Sequence, residues 1–128
     1  MNSKLLCSTL LIFALTATSF AQNCRTQCGQ YLADYQAVCE ANSDESVSTP
    51  QGCNCDCRCP DLCVAYVNSY ERYTTTFGSD AFCNFPSICD CSSFCPQLCD
   101  DYTYCREELS EQGSFDPDLC PLPTGCSC

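Results

Sequence analysis

The sequence lacks histidine and tryptophan, and it has only five lysine and arginine residues against sixteen acidic ones. Without histidine, Ser-His-Asp and Cys-His arrangements are impossible, and a reactive thiol lacks its usual base. The shortage of basic residues excludes nucleic-acid binding, which needs a basic footprint, and disfavours anionic membrane surfaces. We therefore predict that the protein is not an enzyme and binds neither nucleic acid nor membrane.

Several short motifs are also missing. The chain has no C-x2-C pair, the usual spacing of structural zinc sites and of thioredoxin-like redox centres. We therefore predict no catalytic residue, no metal site and no cofactor. Acidic residues do recur in the loops at Asp44, Asp80 and Asp116, but no loop has the EF-hand pattern, so only weak calcium association is expected.

The sequence has only one long apolar run, and that run lies at the N-terminus. Lys4 precedes an apolar stretch from Leu5 to Ala17, and Ser19-Phe20-Ala21 places small residues at a cleavage position. This pattern is typical of a secretory signal peptide. We predict a signal peptide at residues 1–21, secretion to the extracellular space, and a mature chain with four arginines and a net charge of −12.

Cysteine is the residue in greatest excess. The chain has eighteen, and seventeen remain after Cys7 leaves with the signal peptide. In an oxidising compartment, disulfides are the default state of such thiols. Because seventeen is odd, at least one cysteine is predicted to be free or bonded to another molecule.

The cysteines follow an internal repeat. A C-x3-C-x2-Y motif begins at Cys24, recurs 35 residues later at Cys59 and then 36 residues later at Cys95. A P-x-[GI]-C-x-C motif begins in the same order at Pro50, Pro86 and Pro123. We predict three tandem units: unit one at 22–58, unit two at 59–94 and unit three at 95–128.

Each unit is predicted to contain one helix. Apolar and cysteine positions recur at helical spacing after each C-x3-C motif, and the equivalent residues Tyr31, Tyr66 and Tyr102 are expected to pack in the core or between units. Asn42, Gly78 and Gly113 suit the left-handed residue that ends a helix. The predicted fold class is small, disulfide-rich and mainly α with irregular loops, built from three helix-loop-CxC repeats of about 35 residues.

The disulfide prediction follows from side-chain directions. Two cysteines four apart on a helix lie side by side, and the two cysteines of an extended C-x-C point to opposite sides, so each pair seeks outside partners. The C-x-C bonds either its own helix or that of the next unit. Twelve cysteines are therefore structural disulfide candidates: Cys24, Cys28, Cys53, Cys55, Cys59, Cys63, Cys89, Cys91, Cys95, Cys99, Cys126 and Cys128.

Five mature cysteines remain outside this set. We expect Cys39 to pair with Cys57, and Cys105 to pair with Cys120, each within its own unit. Cys83 is then the candidate odd or intermolecular thiol, because unit two has Ser69 and Thr74 where its siblings have an added helix cysteine.

The densest cysteine stretch, 53–59, has cysteines at alternate positions and resembles the C-x-C runs of metallothioneins. Export and twelve mature tyrosine and phenylalanine residues favour disulfides instead. The repeat also divides this stretch into the end of unit one and the start of unit two.

Two functions fit these observations. The first is a secreted structural protein, the building block of an extracellular fibre, coat or matrix, whose partners are itself or other extracellular proteins. Cys126 and Cys128 would then bond Cys24 and Cys28 of another copy in a head-to-tail polymer. The alternative is a soluble secreted binding module (an effector, toxin-like ligand or inhibitor) that displays loops on a disulfide frame. Multimers without reductant are expected for the first and a monomer for the second.

Overall fold

The computed structural model describes residues 15–76, 81–113 and 116–128. These residues form three α-helices, α1 at Leu15–Glu40, α2 at Cys59–Thr76 and α3 at Cys95–Glu111, with short 3-10 turns at Asp56–Arg58, Ser92–Phe94 and Pro117–Leu119. Strands are absent from the described ranges. The predicted class, small, disulfide-rich and mainly α, is therefore confirmed.

The helix boundaries follow local chemistry. Pro96 stands in the first turn of α3, where its missing N–H has no helical partner to lose. Asn42 takes a left-handed conformation after α1, with φ 47°, and Gly113 does so after α3, with φ 78°. Beyond α1, the Ser43 N–H donates to the Val38 carbonyl, which completes the helix end. Gly78 lies outside the described residues.

The predicted signal peptide falls partly in α1. Residues 1–14 are not described, and the backbone of 15–21 continues into the helix that carries Cys24 and Cys28. No described helix is long and apolar enough to cross a membrane.

The core lies around α2, which packs against both α1 and α3. Tyr66 and Tyr70 are almost fully buried, and Phe82 and Phe85 from the following loop pack edge-on against their rings. Tyr31 is buried as predicted, whereas Tyr102 is half-buried. A smaller cluster in the third unit contains Cys105, Leu109 and Cys120.

Candidate binding groove and disulfide framework

Six disulfides join the helix cysteines to the C-x-C segment of the same unit. Every Cα–Cα distance among them is 5.3–5.5 Å, within the usual range for a bridge. All twelve structural candidates therefore lie in these bridges, and the alternative of bonding the next unit's helix is not used. The pairs are Cys24–Cys53, Cys28–Cys55, Cys59–Cys89, Cys63–Cys91, Cys95–Cys126 and Cys99–Cys128.

Two further disulfides involve the remaining cysteines. Cys105 bonds Cys120 within unit three, as expected. Cys39 bonds Cys83 instead of Cys57, so the prediction of Cys83 as the odd thiol is wrong. The last turn of α1 lies beside the loop after α2, which brings the two Cα atoms to 4.8 Å. Cys57 is disulfide-bonded as well.

These pairings affect the expected head-to-tail joint. Cys126 and Cys128 bond Cys95 and Cys99, and Cys24 and Cys28 are also used within the chain. The sequence-based joint required these four residues to be available to a second molecule. In the structure, all four form disulfides within their own units.

The contact between units one and two, which we name the first seam, has a polar network beside its disulfide. The Arg72 guanidinium donates to the Cys39 carbonyl at 2.7 Å and to the Asn42 side-chain oxygen at 3.1 Å. The Ser69 hydroxyl donates to the same Asn42 oxygen and accepts the Cys83 backbone N–H at 3.0 Å. Asn42 thus ends α1 and also holds it to α2.

Ser69 and Thr74 occupy the positions at which the other units have an added helix cysteine. Both side chains are fully buried. Ser69 joins the network of the first seam, and the Thr74 hydroxyl donates to the Glu71 carbonyl of its own helix at 3.1 Å. Each buried hydroxyl therefore has a partner, which removes most of the free-energy cost of burying it.

Tyrosines make equivalent hydrogen bonds at the first seam and at the second seam, the contact between units two and three. The Tyr35 hydroxyl donates to the Asn84 carbonyl at 2.6 Å, and the Tyr70 hydroxyl donates to the Pro121 carbonyl at 2.8 Å. Tyr35 and Tyr70 are 35 residues apart, and both acceptors stand two residues before the proline of a C-x-C motif. The repeat in sequence is therefore also a repeat in contacts.

An open groove of about 420 Å³ lies at the second seam. Tyr66, Tyr73, Phe82 and Phe85 supply aromatic walls from unit two, and the segment 121–124 lines the groove from unit three. Leu122 is 56% exposed here, the highest value among the exposed large apolar side chains described.

The edges of the groove are fixed and acidic. The Tyr73 hydroxyl donates to the Leu119 carbonyl at 3.0 Å, and the Tyr66 hydroxyl accepts the Thr124 N–H at 3.3 Å. Asp44, from the loop after α1, stands at the rim and is exposed. The arrangement offers apolar and π surfaces to a ligand, with negative charge at the entrance. Sequence reasoning assigned the tyrosines to packing and did not find this groove, because its two sides come from different units.

Asp101 is the one carboxylate whose pKa the fold raises strongly among the described residues. Burial, followed by the nearby charges of Glu71 and Asp100, raises its pKa to about 6. Its Oδ2 atom is buried without a hydrogen-bond partner. Asp101 occupies the position where unit two has Ala65.

Groups of three or more metal-ligating side chains do not occur among the described residues. Comparison with protein-family models, curated proteins and solved structures gives no significant match.

Proposed function

We propose that the protein is a soluble, secreted binding module that holds a basic polypeptide partner in the groove at the second seam. The groove itself carries the proposal: it presents three partly exposed aromatic side chains, Tyr73, Phe82 and Phe85, and the exposed Leu122 on a frame stapled by disulfides. The predicted signal peptide and the oxidised cysteines support secretion. A rigid frame lowers the entropy cost of binding.

Charge indicates which partner fits. The aromatic walls suit the apolar stem and cationic head of lysine or arginine, which favour contact with ring faces. Asp44 stands at the rim, and Asp116 and Asp118 are exposed in the neighbouring loop. With a predicted mature charge of −12, an acidic partner is repelled and a basic one attracted.

Two labelled peptides of equal length test the proposal, one alternating lysine and leucine and the other alternating glutamate and leucine. We expect saturable binding of the lysine peptide alone, measured by fluorescence anisotropy. Leu122→Lys places a positive charge in the groove and should weaken binding at least tenfold. Val64→Lys is the matched control, because Val64 is a similarly exposed aliphatic residue that does not line the groove.

Equal weakening by both lysine variants contradicts the proposal, because it indicates attraction to the overall charge and not to the groove. Absence of saturable binding contradicts it as well. The structural alternative, a fibre or coat subunit, is distinguished by mass. We expect a single chain with and without reductant, whereas covalent multimers without reductant favour the building block.

A further inference from the structure

The two internal seams use the same helix positions. Unit one contributes three buried side chains to the first seam, and unit two contributes their equivalents, 35 residues later, to the second. The sets are Tyr31, Leu32 and Tyr35, and Tyr66, Val67 and Tyr70. The helix face that each unit turns toward the next is therefore aromatic and aliphatic.

The receiving side of each seam is also repeated. Leu62 in α2 and Leu98 in α3 are equivalent, and both are fully buried. The loop before each following C-x-C supplies the carbonyl that accepts the tyrosine hydroxyl, at Asn84 and at Pro121. A seam therefore needs a leucine on the receiving helix and an apolar face with a tyrosine on the helix before it.

The outer face of unit three departs from this pattern. The residues equivalent to Val67 and Tyr70 are Thr103 and Arg106, and both are exposed. Arg106 donates to the Tyr102 hydroxyl at 2.9 Å, and its guanidinium lies 5.8 Å from the centre of the Tyr102 ring. A charged side chain therefore covers the aromatic ring that would otherwise continue the seam.

The outer face of unit one departs from it too. Gln27 occupies the position of Leu62 and Leu98, and its side-chain oxygen lies 3.6 Å from the Cys53 sulfur. One turn later, the exposed Gln30 amide donates to the Asp34 carboxylate at 2.8 Å. Stacking another unit here would bury amide and carboxylate groups in place of a leucine.

We infer that Gln27, Thr103 and Arg106 terminate the array, so that the chain is a finite three-unit module whose ends do not stack on a second copy. Burying the Arg106 guanidinium, or the Gln27 amide without a partner, carries a desolvation cost that the internal seams avoid. Repeat proteins generally need terminal units with polar outer faces. This inference goes beyond the proposed function, because it holds whatever the groove binds.

The triple variant Gln27→Leu/Thr103→Val/Arg106→Tyr tests the inference by restoring both halves of a seam. We expect the oxidised wild-type protein to sediment as one chain. The triple variant should reach at least twice that weight-average mass at the same concentration. Gln27→Leu alone and Thr103→Val/Arg106→Tyr alone are matched controls that should remain monomeric, because each restores only one half. A disulfide map confirms that each variant has native bridges.

Association of the wild-type protein, or a monomeric triple variant with native bridges, overturns the inference. A second experiment places the residue types of Thr103 and Arg106 at the equivalent positions of α2, inside the array. It does not require the triple variant to fold. Val67→Thr/Tyr70→Arg should greatly speed hydrogen exchange in α3, whereas Tyr104→Arg, at an exposed position, should not. Unchanged exchange in the double variant shows that these positions do not control stacking and also overturns the inference.

Discussion

At the scale of single residues, the buried tyrosines combine packing with directed hydrogen bonding. Tyr35 and Tyr70 place their rings in the core and their hydroxyls on backbone carbonyls of the next unit. Burial raises the pKa of both hydroxyls, because a phenolate would lose its hydration there. Both groups therefore stay neutral donors throughout the physiological pH range.

Tyr35→Phe and Tyr70→Phe should each lower the free energy of unfolding by about 1–2 kcal/mol, because each leaves a carbonyl without its donor and changes little else. Urea unfolding of the oxidised proteins measures the effect. Tyr104→Phe is the control, since Tyr104 is exposed, and should be nearly neutral. A loss in Tyr104→Phe equal to that in the seam variants would show that the tyrosine–carbonyl bonds contribute little.

The raised pKa of Asp101 predicts that the stability of the fold depends on pH. Its folded pKa of about 6 is higher than the ordinary 3.8, so between these values the folded state binds more protons than the unfolded state. The contribution of Asp101 to stability is therefore most favourable below pH 4, falls as pH rises toward 6, and stays low above that.

Asp101→Ala copies Ala65 of unit two and removes the unpartnered buried oxygen. We expect this variant to be more stable than wild type at pH 7.5 and to lose that advantage near pH 4. Glu107→Ala, which removes an exposed acid from the same helix, should show no such crossover. Unfolding curves at several pH values give the comparison, and an advantage independent of pH would contradict the assignment to Asp101.

At the scale of elements, the sequence predicted that helix cysteines bond C-x-C cysteines, but it left open whether they belong to the same unit, and it did not predict the Cys39–Cys83 bridge between units. The two helix cysteines of a unit lie side by side, and the two cysteines of a C-x-C point to opposite sides. Each pair therefore bonds cysteines of the other pair. Cys39 gives no such signal, because its partner depends on how α1 and α2 lie side by side. The burial of Ser69 and Thr74 likewise depends on how neighbouring elements pack, so it could not be predicted from the sequence. The groove was missed for a related reason, since its two walls come from residues at least 36 positions apart.

Removing the bridge between units should cost more than removing the extra bridge in unit three. Cys39 and Cys83 are 44 residues apart, and Cys105 and Cys120 are 15 apart. In the chain-entropy model these separations correspond to at most about 4 and about 3 kcal/mol, before the other bridges shorten the loops. Denaturant unfolding of the Cys39→Ala/Cys83→Ala and Cys105→Ala/Cys120→Ala proteins compares the two.

Hydrogen exchange adds a test of location. The first pair of substitutions should increase exchange where α1 meets α2, and the second should act mainly on residues 116–120 near Cys120. If both pairs affect the same amides, the bridges do not act on separate elements.

At the scale of the whole molecule, we expect the first seam to be stronger than the second. The first seam has the Cys39–Cys83 bridge and the Arg72–Asn42 network. The second has tyrosine hydrogen bonds and packing around Leu98, and no disulfide among the described pairs crosses it. Because the groove lies at the second seam, the weaker contact is also the one that a bound partner would touch. Binding surfaces are commonly found in the parts of a fold that open locally at a low free-energy cost.

The repeat suggests how to strengthen the second seam. Thr74 is the counterpart of Cys39, and Cys120 is the counterpart of Cys83. Thr74→Cys combined with Cys105→Ala therefore frees the Cys120 thiol from its own unit and offers it the partner that Cys83 has at the first seam. We expect a disulfide between positions 74 and 120, detected by peptide mapping, and slower hydrogen exchange in α3 than in wild type. Cys105→Ala alone is the control and should speed exchange instead. If the new bridge fails to form, or forms and leaves exchange in α3 unchanged, the two seams are not equivalent in geometry and the difference in strength lies elsewhere.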